Sequence, residues 1–411
     1  LFLIFLQINL MIEEYVKGKP YFCDVCDKIK SYPYLDKNVS CDCLVVGGGI
    51  DGAITAYYLT KSGIECLLID KNRLGFMNTC CATALLEYQL DEHARDLKKF
   101  FSRADVAGVY KLGLNAINDI DPIINELGNF CHYSKRDTLI FSTKNKDKKE
   151  ILEEYNFRKD YGFDVKYIDE ENNPFPFLVK SALLSKNGGA EFNPYLFEKQ
   201  LIDFLDSKIG IYENTEAKEI IETNYGFKVI TNYGIEIKCK YLVCSTGYNS
   251  HIFTKKRLCE KFVSYTIVSK PLSHNLWDRT LLQDNSQPYH YLRLSPDNRL
   301  IIGGEDIPLK KGIKAKDAVK YYDKLYDYAT QMFPDENFEI DYKFCGAFST
   351  TKNNLSIIGR DSQKPNLFYN LGYGANGIVY SIFGGQQIAS LIKNEPTSPY
   401  LKFFSPERKL P

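Results

Sequence analysis

From residue 41 onward the hydrophobic pattern changes period in a set order. Residues 44–46 are a short apolar run, apolar positions take helical spacing from Ala53 until Gly63 interrupts them, and a second apolar run ends at Asp70. A short apolar run marks a strand and a period near 3.6 a helix, so 41–70 predicts strand, tight turn, helix, strand. Residues 91–130 read as mostly helical, with Leu97, Phe100 and Phe101 in one apolar group that Val109 to Ile117 continue. Strands over 138–142 and 165–168 flank a charged helix over 145–160, and residues 188–194 read as a turn before a helix over 195–205.

Strands over 209–212, 217–223 and 227–231 lead to a buried strand over 241–244 that closes in Ser245-Thr246-Gly247. The character then changes. Between 256 and 310, strands over 263–268, 289–294 and 300–302 are joined by turns such as Ser295-Pro296-Asp297-Asn298, the mark of an antiparallel sheet. A helix over 315–333 follows, then strands over 355–358 and 367–371, a glycine-rich loop over 372–377 and a helix over 378–392. No internal repeat or low-complexity tract interrupts this order.

Length and charge narrow the picture. At 411 residues the chain exceeds the roughly 250–300 at which single cores stop growing, so two domains are expected. Lys+Arg and Asp+Glu both number 52, so no net field recruits nucleic acid or anionic lipid, and a small-molecule partner is expected. The twelve cysteines are scattered and read as reduced thiols of a cytoplasmic protein. Residues 1–10 are apolar but shorter than the ~20 needed to span a bilayer, and the reading takes them as an upstream mis-start with Met11 as the biological first residue. Cys23, Cys26, Cys41 and Cys43 have to be weighed as a four-thiolate zinc site. Cys41 and Cys43 open the first strand, however, where sulfurs pack against a sheet, so no metal is expected and residues 31–35 are read as an extended surface arm.

The turn between first strand and helix carries the chemistry. Gly47, Gly49 and Gly52 have G-x-G-x-x-G spacing: the first permits positive φ, the second lets backbone approach a pyrophosphate, and the third packs helix on strand. Asp70 lies roughly 20 residues further on, where a carboxylate holds the hydroxyls of an unphosphorylated adenosine ribose. FAD or NAD is therefore expected before NADP. Thr79 and Thr83 sit in a small-residue stretch that can bring a helix start to a phosphate or serve as a plain cap. Thr246 and Gly247 can close a parallel strand against a bound nucleotide.

In this order the motifs GGGIDG with Asp70, NTCCATALL, CSTG, and IIGR followed by NLFYNLGYGANGI resemble those of the D-amino-acid-oxidase-type FAD-dependent oxidoreductases over residues 41–395. The resemblance implies an α/β fold: a Rossmann-like FAD-binding domain of three discontinuous segments, 41–90, 188–255 and 340–395, with an inserted α+β substrate domain, 91–187 and 256–339, containing an antiparallel sheet. Residues 1–40 would form an N-terminal arm and 396–411 a C-terminal tail. It further implies non-covalent FAD held by Gly47, Gly49, Gly52, Asp70, Lys71, Thr79, Cys80, Thr83, Ala217, Thr246, Gly247, Gly374, Asn376, Gly377 and Ile378, the last four facing the pyrimidine end of the flavin.

Departures bear on the substrate. Phe348 stands where glycine-oxidase-like members carry a carboxylate-binding arginine, and Ala375 replaces a second one. Cys345 lies about one residue from the register at which sarcosine-oxidase-like members attach flavin. Period-2 alternation puts Tyr289, Tyr291 and Arg293 on one strand face, as a replacement carboxylate site or as a structural face with an Arg–carboxylate pair. The resulting expectation is oxidation of a C–N bond of an amine or amino acid by hydride transfer to flavin, with Tyr289, Tyr291, Arg293 and Asn376 at the reacting end and an electron acceptor that the sequence does not fix. Oxidation of a hydroxy acid or glycerol-phosphate-like alcohol, or a flavin-binding subunit needing a partner chain, are the alternatives.

Overall fold

The computed structural model describes residues 15–26, 30–90, 92–310 and 312–408; the apolar stretch 1–10 and Met11 lie outside them. Continuous apolar runs make strands buried on both faces, and these assemble the first sheet. Its order is Ile357–Arg360, Leu367–Leu371, Glu236–Cys244, Val39–Val46, Cys66–Ile69, Gly210–Tyr212. All pairs along this row are parallel except the edge pair formed by Ile357–Arg360, and the hairpin Ala217–Thr223/Gly226–Thr231 extends from Glu236–Cys244. The helix Ile50–Lys61 packs against both Pro194–Leu205 and Gly377–Lys393, covering one face. The strand–turn–helix–strand expected over 41–70 and the helix expected over 378–392 are thus neighbours in space.

The second sheet runs Val16–Gly18, Ile340–Thr350, Glu260–Ser269, Leu300–Pro308, His290–Leu294, Leu281–Asp284, Ser134–Ser142, Ser181–Glu191, Leu85–Glu87, with Val165–Asp169 on Ser181–Glu191. Its pairs are antiparallel apart from Leu281–Asp284 with Ser134–Ser142. The helix Ala315–Met332 packs on Glu260–Ser269 and Leu300–Pro308. Residues 188–191, expected as a turn, close a long strand instead, because Gly189 sits where a Cβ would lie 2.4 Å from the Leu86 carbonyl oxygen of the neighbouring strand. Ile340–Thr350, which the segment division gives to the nucleotide-binding part, lies in this sheet beside Glu260–Ser269.

The arm is used by both halves. Val16–Gly18 adds an edge strand against Phe344 to Gly346, while Leu35 is buried in the core of the first sheet with its N–H donating to Thr215 Oγ1 at 3.0 Å. Cys41 faces Cys239 and Cys43 faces Cys66 across neighbouring strands, so they do not converge on Cys23 and Cys26. Among the described residues no group of three or more His, Cys, Asp and Glu side chains is arranged to hold a metal, and no helix is long and apolar enough to cross a membrane.

Candidate active site

A cavity of about 410 Å³ lies between the two sheets, lined from both. At one end the strand Val39–Val46 stops at Gly47, whose φ of +107° and close approach to the Ser245 carbonyl, 2.3 Å from where a Cβ would be, require glycine. A Cβ on Gly52 would come within 1.7 Å of the Gly47 oxygen, so this residue sets the helix against the strand and does not itself line the cavity. Gly49 lines it and has only Thr79 Oγ1 near its absent Cβ, at 3.3 Å. Thr79 Oγ1 accepts from Ile50 N–H at 3.1 Å, locking the helix start to the segment after Asp70.

Asp70 accepts from the backbone N–H groups of Gly48 and Asn72, each at 2.7 Å, and burial pushes its carboxyl up to about 6. Lys71, Asn72 and Arg73 continue the wall. A second helix start arrives opposite: Gly374, Ala375, Asn376, Gly377 and Ile378 all line the cavity. Asp51 ties the two starts together, accepting from Gly372 N–H at 2.9 Å and Ser381 Oγ–H at 2.6 Å, and burial raises it to about 6. Two helices, Ile50–Lys61 and Gly377–Lys393, therefore direct their positive ends at one space, an arrangement that favours bound negative charge.

The second sheet supplies the far wall through Ser264, Gln283, Tyr289, Tyr291, Asp306 and Phe348. The Tyr291 hydroxyl and Ser264 Oγ are 2.9 Å apart, and burial raises the phenol to about 12, keeping it protonated as a donor. Burial likewise pushes Asp306 up to about 6, opposed by the neighbouring hydroxyls of Ser264 and Tyr289. Asn72 Nδ2, Ser245 Oγ, Ser349 Oγ and Asp306 Oδ1, all on lining residues, are buried without a hydrogen-bond partner. Such atoms are costly unless a ligand pairs them, so the lining is shaped for a polar guest.

Most of the expected site residues meet here: Gly47, Gly49, Asp70, Lys71, Thr79, Thr83, Ala217, Thr246, Gly247, Tyr289 and Tyr291 join the helix-start residues on the lining. Arg293 and Cys80 join Gly52 as expected site residues that the lining leaves out. Arg293 is buried off the cavity, its guanidinium donating to Thr83 O at 2.7 Å, Glu191 Oε2 at 3.2 Å and Phe192 O at 3.0 Å, so it is a structural pair and holds no substrate carboxylate. Cys80 turns its thiol to Gly75 O, and Cys81 lines the cavity instead. The Asn376 side chain accepts from Glu87 N–H at 3.2 Å and donates to Gln89 O at 2.6 Å; its work is to hold a strand end against the helix start. Cys345 is buried beside Tyr322 and does not line the cavity. Sequence reasoning missed Ser264, Gln283, Asp306 and Cys81. Asp306 carried a faint signal, standing with Glu305 as two adjacent acids in the strand Leu300–Pro308 after its apolar start.

The family model described as FAD dependent oxidoreductase (DAO) matches residues 42–391, and the chain belongs to that family. FAD is its cofactor, and the glycine turn, Asp70 and the two helix starts fit that group. A Bacillus subtilis (strain 168) protein described as a Rieske 2Fe-2S iron-sulfur protein, YhfW, is 25% identical over 391 residues, covering 92% of this chain and 74% of that protein. Gamma-glutamylputrescine oxidoreductase of Escherichia coli (strain K12) is 22% identical over 396 residues, covering 91% of this chain and 89% of the relative. The crystal structure of glycine oxidase from Geobacillus kaustophilus superposes with a TM-score of 0.79 at 19% identity, covering 90% of this chain and all of that one.

Proposed function

We propose that this oxidoreductase oxidises a C–N bond of an amine-bearing substrate, releasing an imine that hydrolyses in water. The observation that carries this reading is the position of a small polar wall, Ser264, Gln283, Tyr289, Tyr291 and Asp306, facing the start of the helix Gly377–Lys393 across one cavity. When bound, FAD supplies an acceptor for the hydride leaving the carbon beside the nitrogen. Gly47, Gly49, Thr79 and the start of Ile50–Lys61 would hold its pyrophosphate and Asp70 its ribose, while the start of Gly377–Lys393, on the same lining, would favour the negative charge the flavin gains.

The chain's share of the chemistry is positioning. No strong base is required, because a neutral amine expels hydride once it is held in place, and orientation alone can supply several kcal/mol. Oxidation of an anionic hydroxy acid or phosphate ester fits less well, since the second-sheet wall offers no cation to hold the anion. The test is anaerobic bleaching of the bound flavin with amines and hydroxy acids side by side, followed by readmission of air. Bleaching by amines supports the reading; bleaching by hydroxy acids alone replaces it, and the rate of recovery in air reports whether oxygen is the acceptor.

A further inference from the structure

Resting on the C–N reading, we propose that the substrate is a cationic amine without a carboxylate beside the reacting carbon, and that Asp306 binds its ammonium group and takes one proton from it, leaving the neutral amine from which the hydride departs. Three observations converge. Asp306 lines the cavity with one oxygen, Oδ1, buried and without a hydrogen-bond partner, beside the hydroxyls of Ser264 and Tyr289. A buried acceptor with no donor is costly, and an N–H of an ammonium ion is the donor that satisfies it best, because the bond is charge-assisted on both sides.

Aromatic residues share the same wall. Tyr289 and Tyr291, with ring centroids 6.0 Å apart, and Phe348 share the wall with Asp306. Electron-rich ring faces attract a cation and not an anion. Finally, the second-sheet wall has no cation with which to hold a carboxylate. The basic side chains on the described lining are Lys71 and Arg73, on the loop after Asp70, and His251, beyond the Ser245-Thr246-Gly247 turn, whereas the second sheet contributes Asp306 and Glu87 and no Lys, Arg or His. Arg293, on the neighbouring strand, is engaged by Glu191, and His290 lies between Asp284 and Glu305. A substrate carboxylate at this wall would enter beside two acids with no cation on the same wall.

The test uses the FAD-loaded protein and substrate pairs that differ only in a carboxylate: pyrrolidine and proline, dimethylamine and sarcosine, butane-1,4-diamine and ornithine. Rates of flavin bleaching under argon should favour the member without the carboxylate by at least tenfold in kcat/KM. Asp306→Asn should lose roughly thirtyfold or more in apparent affinity for that member, with FAD content unchanged. Independently of turnover, tert-butylammonium, which has no hydrogen on its amine-bearing carbon, should perturb the flavin spectrum of the unmutated protein but not of Asp306→Asn, and acetate should perturb neither. Faster bleaching by the amino-acid members overturns this proposal while leaving C–N oxidation intact. Bleaching by hydroxy acids and by no amine overturns both. Equal tert-butylammonium binding in the two proteins removes Asp306 from the role.

Discussion

Arg293 and Asp70 show how far a single residue can be read before folding. Alternation places Tyr289, Tyr291 and Arg293 on one strand face, and both tyrosines reach the cavity, but alternation says nothing about depth along the strand. Two residues beyond Tyr291 the face has passed under the floor of the site, where Glu191 waits. Arg293→Leu should therefore lower stability by about 3 kcal/mol, near the bottom of the range for breaking a buried ion pair because Arg136 still holds Glu191 Oε1. A thermal melt checks this, and a raised KM with an unchanged melting temperature would contradict it. The place of Asp70 on the cavity, by contrast, was legible because it depends on spacing alone. Its neighbours are the N–H groups of Gly48 and Asn72, Lys71 and, at longer range, Glu213, and burial holds it near 6. Ribose hydroxyls favour the ionised form, so FAD binding below that value must expel a proton. Affinity for FAD should weaken by about tenfold between pH 7 and pH 5, and Asp70→Asn, already weaker, should lose that slope; titration of FAD into the stripped protein measures both.

At the scale of elements, strands with a continuous apolar run or a clean helical period were readable, and strands whose signal comes from pairing were not. Ile340–Thr350 alternates exposed and half-buried positions only up to Lys343 and then is buried on both faces, so its pattern resembles its parallel neighbours in the chain although it pairs in the other sheet. Residues 188–191 look like a turn in isolation because two glycines permit one, yet Gly189 is what lets Ser181–Glu191 lie close to Leu85–Glu87. The join between Leu85–Glu87 and the helix Gly377–Lys393 was likewise invisible, since Asn376 makes it across more than 280 residues. Asn376→Ala should strand the Glu87 N–H and the Gln89 carbonyl, each costing roughly 1–3 kcal/mol. Because the same loop lines the cavity, a lowered melting point should come with weaker FAD retention. Weaker retention at an unchanged melting point would mean that Asn376 touches the cofactor directly.

Over the whole molecule, the return of the α/β pattern after an antiparallel stretch was the sequence's clearest statement of fold, because periodicity survives insertion of one unit into another. What the pattern could not convey is the charge state of the cavity wall, which depends on burial. Asp51, Asp70 and Asp306 are each pushed by burial up to about 6, and Glu198, packed behind Asp70 with Lys199 as its partner, to about 7. Asp51 is faced by Ser381 and the Gly372 N–H, and Asp306 by Ser264, Tyr289, His290 and Glu305, none of which offsets the lost hydration. Unfolded, these carboxyls titrate near 4, so between pH 4 and 7 the folded chain binds more protons and its stability falls as pH rises. Carboxylates held down by lysines, such as Asp24 with Lys19 and Glu126 with Lys61, act oppositely, but they titrate below their ordinary values and so outside this window. From pH 5.5 to 7.5 the FAD-stripped protein should thus lose roughly 1 kcal/mol for each aspartate and about 2 for the glutamate. Asp306→Asn should flatten the slope by one aspartate's share while leaving the remaining three groups in place. A melting temperature that rises across that interval would show that the acids around the cavity are better solvated than their packing implies.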